Sequence, residues 1–278
     1  MKRLTRKLAK NMLRRLTGSS PRNILEALMP PLSGGAAPHP VECYREQRVM
    51  VLAPHPDDEA IGCGGVLLHH AAAGAHIVIV YLTDGRLGDS RLPQLNALAR
   101  EASQRELTLQ RQQEARDYAH ALPATESVFL NAEDGHLAPH PEITNTLANL
   151  ISTQAPNLLY LPFAWDTHED HWQANLLTVA ALESIPDPLR STLVLRGYEV
   201  WAPLPANRVA DISSVFDEKI KLIGHYVSQL RDSNYIHCIS GLNAYRSLAL
   251  PQRQGYAEAF YECSAARYID LIKRMGIA

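Results

Sequence analysis

From residue 48 onward the chain alternates short apolar runs with longer stretches of helical periodicity. The run at 48–53 and the β-branched run at 76–82 read as strands, with a helix expected over 61–73 between them. Residues 96–122 carry helical periodicity and many charges, 127–130 read as a short strand, and 141–153 as a helix. Another strand is expected at 157–161, followed by an apolar-periodic helix at 172–182. Such β-α-β-α order implies an α/β, Rossmann-like three-layer fold with a mostly parallel sheet covered on both faces.

The last third is mixed. It is strand-like at 192–201, helical at 217–230, strand-like again at 256–262 and helical at 264–275, which suggests a C-terminal elaboration of one domain. No internal repeat or low-complexity tract interrupts the pattern.

Charge divides the chain differently. The first 18 residues hold seven Lys or Arg and no acid; taking these from the 27 basic residues of the whole leaves 20 against 29 acidic ones. Within this leader Leu4, Leu8, Met12 and Leu16 recur at spacing four, the period of one helix face. Three regions are therefore expected: a basic amphipathic segment at 1–20, a Gly/Ser/Pro-rich linker at 21–47, and the main domain at 48–278.

The leader could lie on an anionic membrane surface; a solvated terminal helix, or one packed on a partner subunit, is the plainer alternative. It lacks the continuous apolar region and cleavage site of a secretory signal. No run of about 18 apolar residues suggests a spanning helix. The four cysteines are widely spaced without a CxxC pair, which favours a reducing compartment. A cytoplasmic location, at the inner face of the membrane if the leader docks there, is the expectation.

Candidate chemistry begins at His55-Pro56-Asp57-Asp58-Glu59, directly after the apolar stretch 50–53. Open α/β sheets keep their active sites at the carboxyl ends of strands. A catalytic zinc site needs three protein ligands and one open position for water, whose pKa then falls to about 7. His55 and Asp58 can supply two ligands, and the third should come from another strand end. Asp166-Thr167-His168-Glu169-Asp170-His171 follows the strand at 157–161 and opens the helix at 172–182. His168 and His171, three apart, share a helix face, so one could ligate while the other faces substrate.

Each motif alone has a bland reading. Asp57, Asp58 and Glu59 could complement a helix dipole, and Thr167 with Asp170 fits a capping box. Together, in order and at two strand ends, they point to a site.

The two motifs resemble those of the LmbE-like, or PIG-L, family of zinc-dependent N-acetylglucosaminyl deacetylases. The first stands here as Ala53-Pro54-His55-Pro56-Asp57-Asp58-Glu59, continued by Gly62-Cys63-Gly64-Gly65, and the second as His168-Glu169-Asp170-His171. Leu82-Thr83-Asp84-Gly85, Arg111-Gln112-Gln113-Glu114, Tyr198-Glu199-Val200-Trp201 and the region 221–229 resemble further family blocks, so the likeness runs over about 48–262.

The resemblance implies that His55, Asp58 and His171 hold one zinc per chain and that Asp57 is the general base. It implies that His168 stabilises the oxyanion or protonates the leaving amine, that Asp170 orients His168, and that Arg111 contacts substrate. For Arg111 a helix-surface pair with Glu114 is the bland alternative. Cys63, in an apolar Gly-rich setting, reads as a packing residue.

Two departures stand out: Ala164-Trp165-Asp166 precedes Thr167 where some members have a tyrosine, and Glu169 replaces the usual proline. The implied activity is removal of the N-acetyl group from a GlcNAc-containing conjugate by attack of a zinc-bound water. The substrate would be a small molecule, a glycolipid or an envelope polysaccharide precursor, with no nucleic acid involved. A non-catalytic sugar- or lipid-binding module and a metal-dependent amidase with a non-sugar substrate are the alternatives. Loops such as 85–94 and 204–208 are expected to choose the group attached to the sugar.

Overall fold

The structure, a computed structural model, describes residues 38–123 and 125–275. In chain order the elements are β1 (His39–Pro40), β2 (Arg48–Ala53), α1 (Asp58–Ala72), β3 (His76–Thr83), α2 (Ala97–Ala121), β4 (Thr125–Ala132), α3 (Pro141–Gln154) and β5 (Leu158–Pro162). They continue with α4 (Glu169–Ser184), α5 (Asp187–Thr192), β6 (Val194–Tyr198), β7 (Arg208–Asp211), α6 (Phe216–Ile223), α7 (Val227–Leu230), α8 (Tyr235–Arg246), β8 (Ala257–Ser264) and α9 (Ala265–Arg274).

The eight strands form one sheet in the order β1-β7-β8-β6-β5-β2-β3-β4, parallel except where β8 pairs with β6 and β7. Starting at β2 the chain winds outward through β3 and β4, then returns to build β5 and β6 on the other side. The reversal puts β2 against β5, with Val49 opposite Leu158 and Val51 opposite Tyr160. At such a switch point the strand carboxyl ends open onto a crevice. The topology therefore delivers both histidine motifs, one from the end of β2 and one from the end of β5, to the same place.

Alternate side chains of β2 enter opposite cores, as the two-residue period of a strand requires. Met50 and Leu52 pack with Val78, Val80, Leu159 and the apolar faces of α3, α4 and α9. Val49 and Val51 pack with Ile77, Ile79, Leu158 and the faces of α1, α2 and α6. Burial on both faces explains why these strands read as unbroken apolar runs. The expected α/β three-layer architecture is present.

Some expectations need correction. The helix expected over 217–230 is two, α6 and α7, separated by a break at Gly224, His225 and Tyr226. Residues 187–192 form α5, so the strand expected over 192–201 narrows to β6. The part of the expected linker that is described is packed: His39–Pro40 runs parallel to Arg208–Val209 at the sheet edge. Nearby, Tyr44 stacks on His69 at 4.8 Å and Glu46 Oε1 lies 3.5 Å from Arg196 Nη2. The leader at 1–20 and the stretch 21–37 lie outside the described residues. Among the described residues no helix is long and apolar enough to cross a membrane.

The glycines after the first motif let α1 lie close to the sheet. A Cβ on Gly62 would sit 2.2 Å from Tyr198 Cδ2, and that ring is fully buried with its hydroxyl donating to Leu52 O at 2.8 Å. At Gly64 the nearest atom is Lys219 Cγ at 3.4 Å, an ordinary contact. Gly62→Ala is thus expected to cost about 1–3 kcal/mol by overpacking, lowering Tm by roughly 2–4 °C per kcal/mol. Gly64→Ala should leave the melting curve near that of the parent, and thermal denaturation of both variants checks the contrast.

Candidate active site

β2 ends at Ala53, and the chain turns through residues 54–57 into α1. The turn is closed by its own carboxylate: Asp58 Oδ2 accepts the His55 backbone N–H at 2.8 Å and lies 3.3 Å from His55 Nδ1. Asp57 occupies the helix N-cap position with φ 138° and ψ −27° and makes no capping bond with its side chain. A non-glycine residue held there costs on the order of 1–3 kcal/mol, and such strain collects at functional sites. The carboxylate is freed from capping and faces the cavity.

At the end of β5 the second motif enters α4. His168 is its N-cap: ring Nδ1 accepts the backbone N–H of Asp170 at 3.2 Å. The expected Thr167 capping box is therefore not formed. A backbone N–H can only donate, so Nδ1 is unprotonated and the neutral ring carries its hydrogen on Nε2. Burial, followed by the neighbouring His55 and His171, pushes the His168 pKa down, which favours that neutral form.

The elements bring His55, Asp58 and His171 together. Asp58 Oδ2 lies 3.2 Å from His171 Nε2 as well as 3.3 Å from His55 Nδ1. Each ring has a carboxylate behind its other nitrogen. His55 Nε2 is 3.1 Å from both Asp134 Oδ1 and Asp170 Oδ2, and His171 Nδ1 is 3.2 Å from Asp166 Oδ2. A carboxylate behind an imidazole is the arrangement that orients metal-binding histidines.

The donor set fits a cation on a further ground. His171 is fully buried, and although both nitrogens lie near carboxylates, neither makes a hydrogen bond of proper direction. A buried polar atom without a partner is rare and points to something missing. Two imidazole nitrogens and a carboxylate oxygen suit zinc and several of its neighbours.

Other groupings are possible by distance alone. Nitrogens of His55, His168 and His171 lie within 4.8 Å of one another, as do ligand atoms of His55, Asp134 and Asp170. Neither set competes well. His168 has one nitrogen engaged by a backbone N–H and the other protonated. Asp170 accepts the amides of Gly135 at 2.7 Å and Leu137 at 3.1 Å, and Asp134 Oδ2 accepts that of Leu87 at 2.8 Å.

Two expected roles change. Asp170 does not orient His168 with its carboxylate, because the loop amides of Gly135 and Leu137 draw that carboxylate toward His55. Its backbone N–H holds His168 instead. Arg111 lines the cavity but is 3% exposed: Nη1 donates to Gly85 O at 3.0 Å and Nη2 to Pro56 O at 2.8 Å, while the buried Nε has no hydrogen-bond partner. Nη2 also lies 3.3 Å from Asp57 Oδ1, so Arg111 steadies Asp57 at the cavity wall, a role the resemblance did not imply. It does not pair with Glu114, whose carboxylate accepts the N–H and hydroxyl of Ser228.

Burial pushes the Asp57 carboxyl up to about 7; Arg111 pulls down against it and Asp58 adds to the rise. A cation at Asp58 would draw it down again. Burial also works upward on Asp58, but His171 and His55 hold it well below the usual carboxylate range. For His171 burial works downward, and Asp58 with Asp166 raises the ring above its ordinary value.

The cavity has a volume of about 160 Å³ and is completed by Leu87, Gly88, Val200, Trp201, Gln229 and Tyr235. Sequence reasoning missed Asp134, Asp166 and Tyr235. Asp166 stood inside the quoted motif, two residues before His168, and Asp134 followed the expected strand at 127–130.

Residues 50–182 match the PIG-L family, described as GlcNAc-PI de-N-acetylase. The diacetylchitobiose deacetylase of Thermococcus kodakarensis is 27% identical over 195 residues, 66% of this chain and 70% of that protein. The 1D-myo-inositol 2-acetamido-2-deoxy-alpha-D-glucopyranoside deacetylase of a Nocardioides species is 29% identical over 170 residues, 51% of this chain and 56% of that protein. The chain thus spans only about half the length of the second relative. The structure of N,N'-diacetylchitobiose deacetylase from Pyrococcus horikoshii superposes with a TM-score of 0.69 at 22% identity, covering 81% of this chain and 86% of that one; this likeness is one of fold.

Proposed function

Starting from a chain that carries a PIG-L, or LmbE-like, domain, we propose that this protein is a metal-dependent deacetylase that hydrolyses the N-acetyl group of a GlcNAc-containing conjugate. The observation that carries the reading is the meeting of His55 Nδ1 and His171 Nε2 on Asp58 Oδ2, each ring backed by a carboxylate. When bound by His55, Asp58 and His171, a divalent cation such as zinc would polarise the amide carbonyl and acidify the attacking water.

The chain's own residues do the rest. Asp57, held by Arg111 at the cavity wall, accepts a proton from the water as its oxygen bonds to the carbonyl carbon. His168 donates a hydrogen bond from Nε2–H to the oxyanion. Giving that proton away would leave an imidazolate, so His168 is assigned to oxyanion stabilisation and not to protonation of the amine. Asp57 then returns its proton to the departing nitrogen as the C–N bond breaks, leaving acetate and a free amine.

The test is acetate release over a panel containing diacetylchitobiose, a GlcNAc-inositol and a non-sugar acetamide. Release from the GlcNAc conjugates with little from the acetamide supports the reading. Equal kcat/KM on the acetamide would make the protein a general amidase. We further propose contact of the basic segment 1–20 with anionic lipid; docking there would favour a glycolipid or envelope precursor as substrate. Anionic liposomes should bind the full chain more than a chain lacking residues 1–20, and equal binding would remove the assignment.

A further inference from the structure

Glu59 closes the first motif, is fully buried, and through its side chain hydrogen-bonds to none of the proposed metal ligands. Its Oε2 accepts the backbone N–H of Asp57 at 3.3 Å. Its Oε1 accepts the hydroxyl of Tyr81 at 3.2 Å and that of Tyr226, and the two hydroxyls are themselves 3.3 Å apart. Tyr81 comes from β3, and Tyr226 from the break between α6 and α7. Two elements distant in sequence therefore fix this one carboxyl.

The N–H that Glu59 holds belongs to the peptide bond joining Pro56 to Asp57. The carbonyl of the same peptide bond, Pro56 O, accepts Arg111 Nη2 at 2.8 Å. One peptide plane is thus gripped at both ends, by Glu59 at its N–H and by Arg111 at its C=O. Rotation of that plane changes the φ of Asp57, which stands at 138°, where an L side chain is strained. Without both grips the plane can rotate to a relaxed φ and carry the Asp57 carboxylate away from the cavity.

We propose that Glu59 is a positioning residue: together with Arg111 it clamps the Pro56–Asp57 peptide plane and so keeps the Asp57 carboxylate turned toward substrate. The kinetic part rests on Asp57 as the base; the conformational part does not. The clamp needs an acceptor at Oε2 rather than a charge. Glutamine can supply it, with its amide group donating to the tyrosine hydroxyls, whereas leucine of similar size cannot.

The experiment compares Glu59→Leu, Glu59→Gln and Tyr226→Phe with the parent in acetate release, metal content and crystal structure. Glu59→Leu should lose about 10–100-fold in kcat, the scale of a catalytic group displaced by about 1 Å. KM should stay within about 3-fold and metal per chain should be unchanged, while the crystal structure shows Asp57 at negative φ. Glu59→Gln should recover kcat to within about 3-fold of the parent, and Tyr226→Phe should lose a few-fold in kcat at constant KM, since it removes one prop only.

Full kcat in Glu59→Leu, or Asp57 still near φ 138°, overturns the proposal. So does a Gln variant as impaired as the Leu variant, which would mean that charge is what matters. If Glu59→Leu does not fold, full kcat in Tyr226→Phe overturns it. If the parent releases no acetate, the functional reading fails by itself and the φ of Asp57 in the variants decides the clamp.

Discussion

Asp57→Ala is expected to lower kcat for acetate release by about 10²-fold or more, the usual worth of a positioned acid–base group. Three features single out this residue. Its carboxylate lines the cavity, it makes no capping bond despite its N-cap position, and Arg111 Nη2 lies 3.3 Å from it. The neighbouring Asp58 is differently placed, with its Oδ2 shared by the His55 amide and two imidazoles, so the paired aspartates of the motif divide into a base and a ligand. Asp57→Asn should lose nearly as much, because an amide keeps the shape but accepts no proton at neutral pH. Steady-state kinetics with metal analysis checks this: both variants should keep the parent's metal content. An unchanged rate in either would remove Asp57 from the chemistry.

His171→Ala should have an even larger effect. Lewis-acid assistance contributes several kcal/mol, and at 1.36 kcal/mol per tenfold its loss corresponds to a rate decrease on the order of 10³-fold. His171 is fully buried, with its Nε2 3.2 Å from Asp58 Oδ2 and its Nδ1 3.2 Å from Asp166 Oδ2. Removing it takes away a proposed ligand and leaves Asp58 with one imidazole. Dialysed His171→Ala protein should carry little metal, whereas Asp166→Asn should retain the ion with affinity lowered by about 10–100-fold, the scale for a partner behind a ligand. Circular dichroism beside the metal analysis separates loss of the ion from loss of the fold. Full metal occupancy in a folded His171→Ala protein would mean that the ligand set is drawn wrongly.

The central sheet was legible because burial on both faces leaves its strands as unbroken apolar runs; β2 was read at its observed bounds. β7 was not, since four residues with only Val209 and Ala210 buried give no pattern to detect. α8 escaped for a related reason: Ile239 and Asn243 are its only fully buried residues, so no apolar stripe marks its face. The meeting of the two histidine motifs could be anticipated from strand order, but the aim of individual side chains could not. The direction of Asp170 is set by the amides of Gly135 and Leu137, more than thirty residues earlier in the chain. The use of Arg111 is set likewise by Pro56 O and Gly85 O, which nothing in its own helix reveals. Beyond a complement to the helix dipole, sequence offered no role for Glu59, because its partners, Tyr81 and Tyr226, are distant and carry no motif.

Acetate release from a GlcNAc conjugate, measured on the purified protein before chelation, after chelation and after zinc is restored, tests whether hydrolysis depends on the metal. Release should disappear with the metal and return with it, one free amine appearing for each acetate. Release that continues undiminished in protein shown to be metal-free would contradict that dependence.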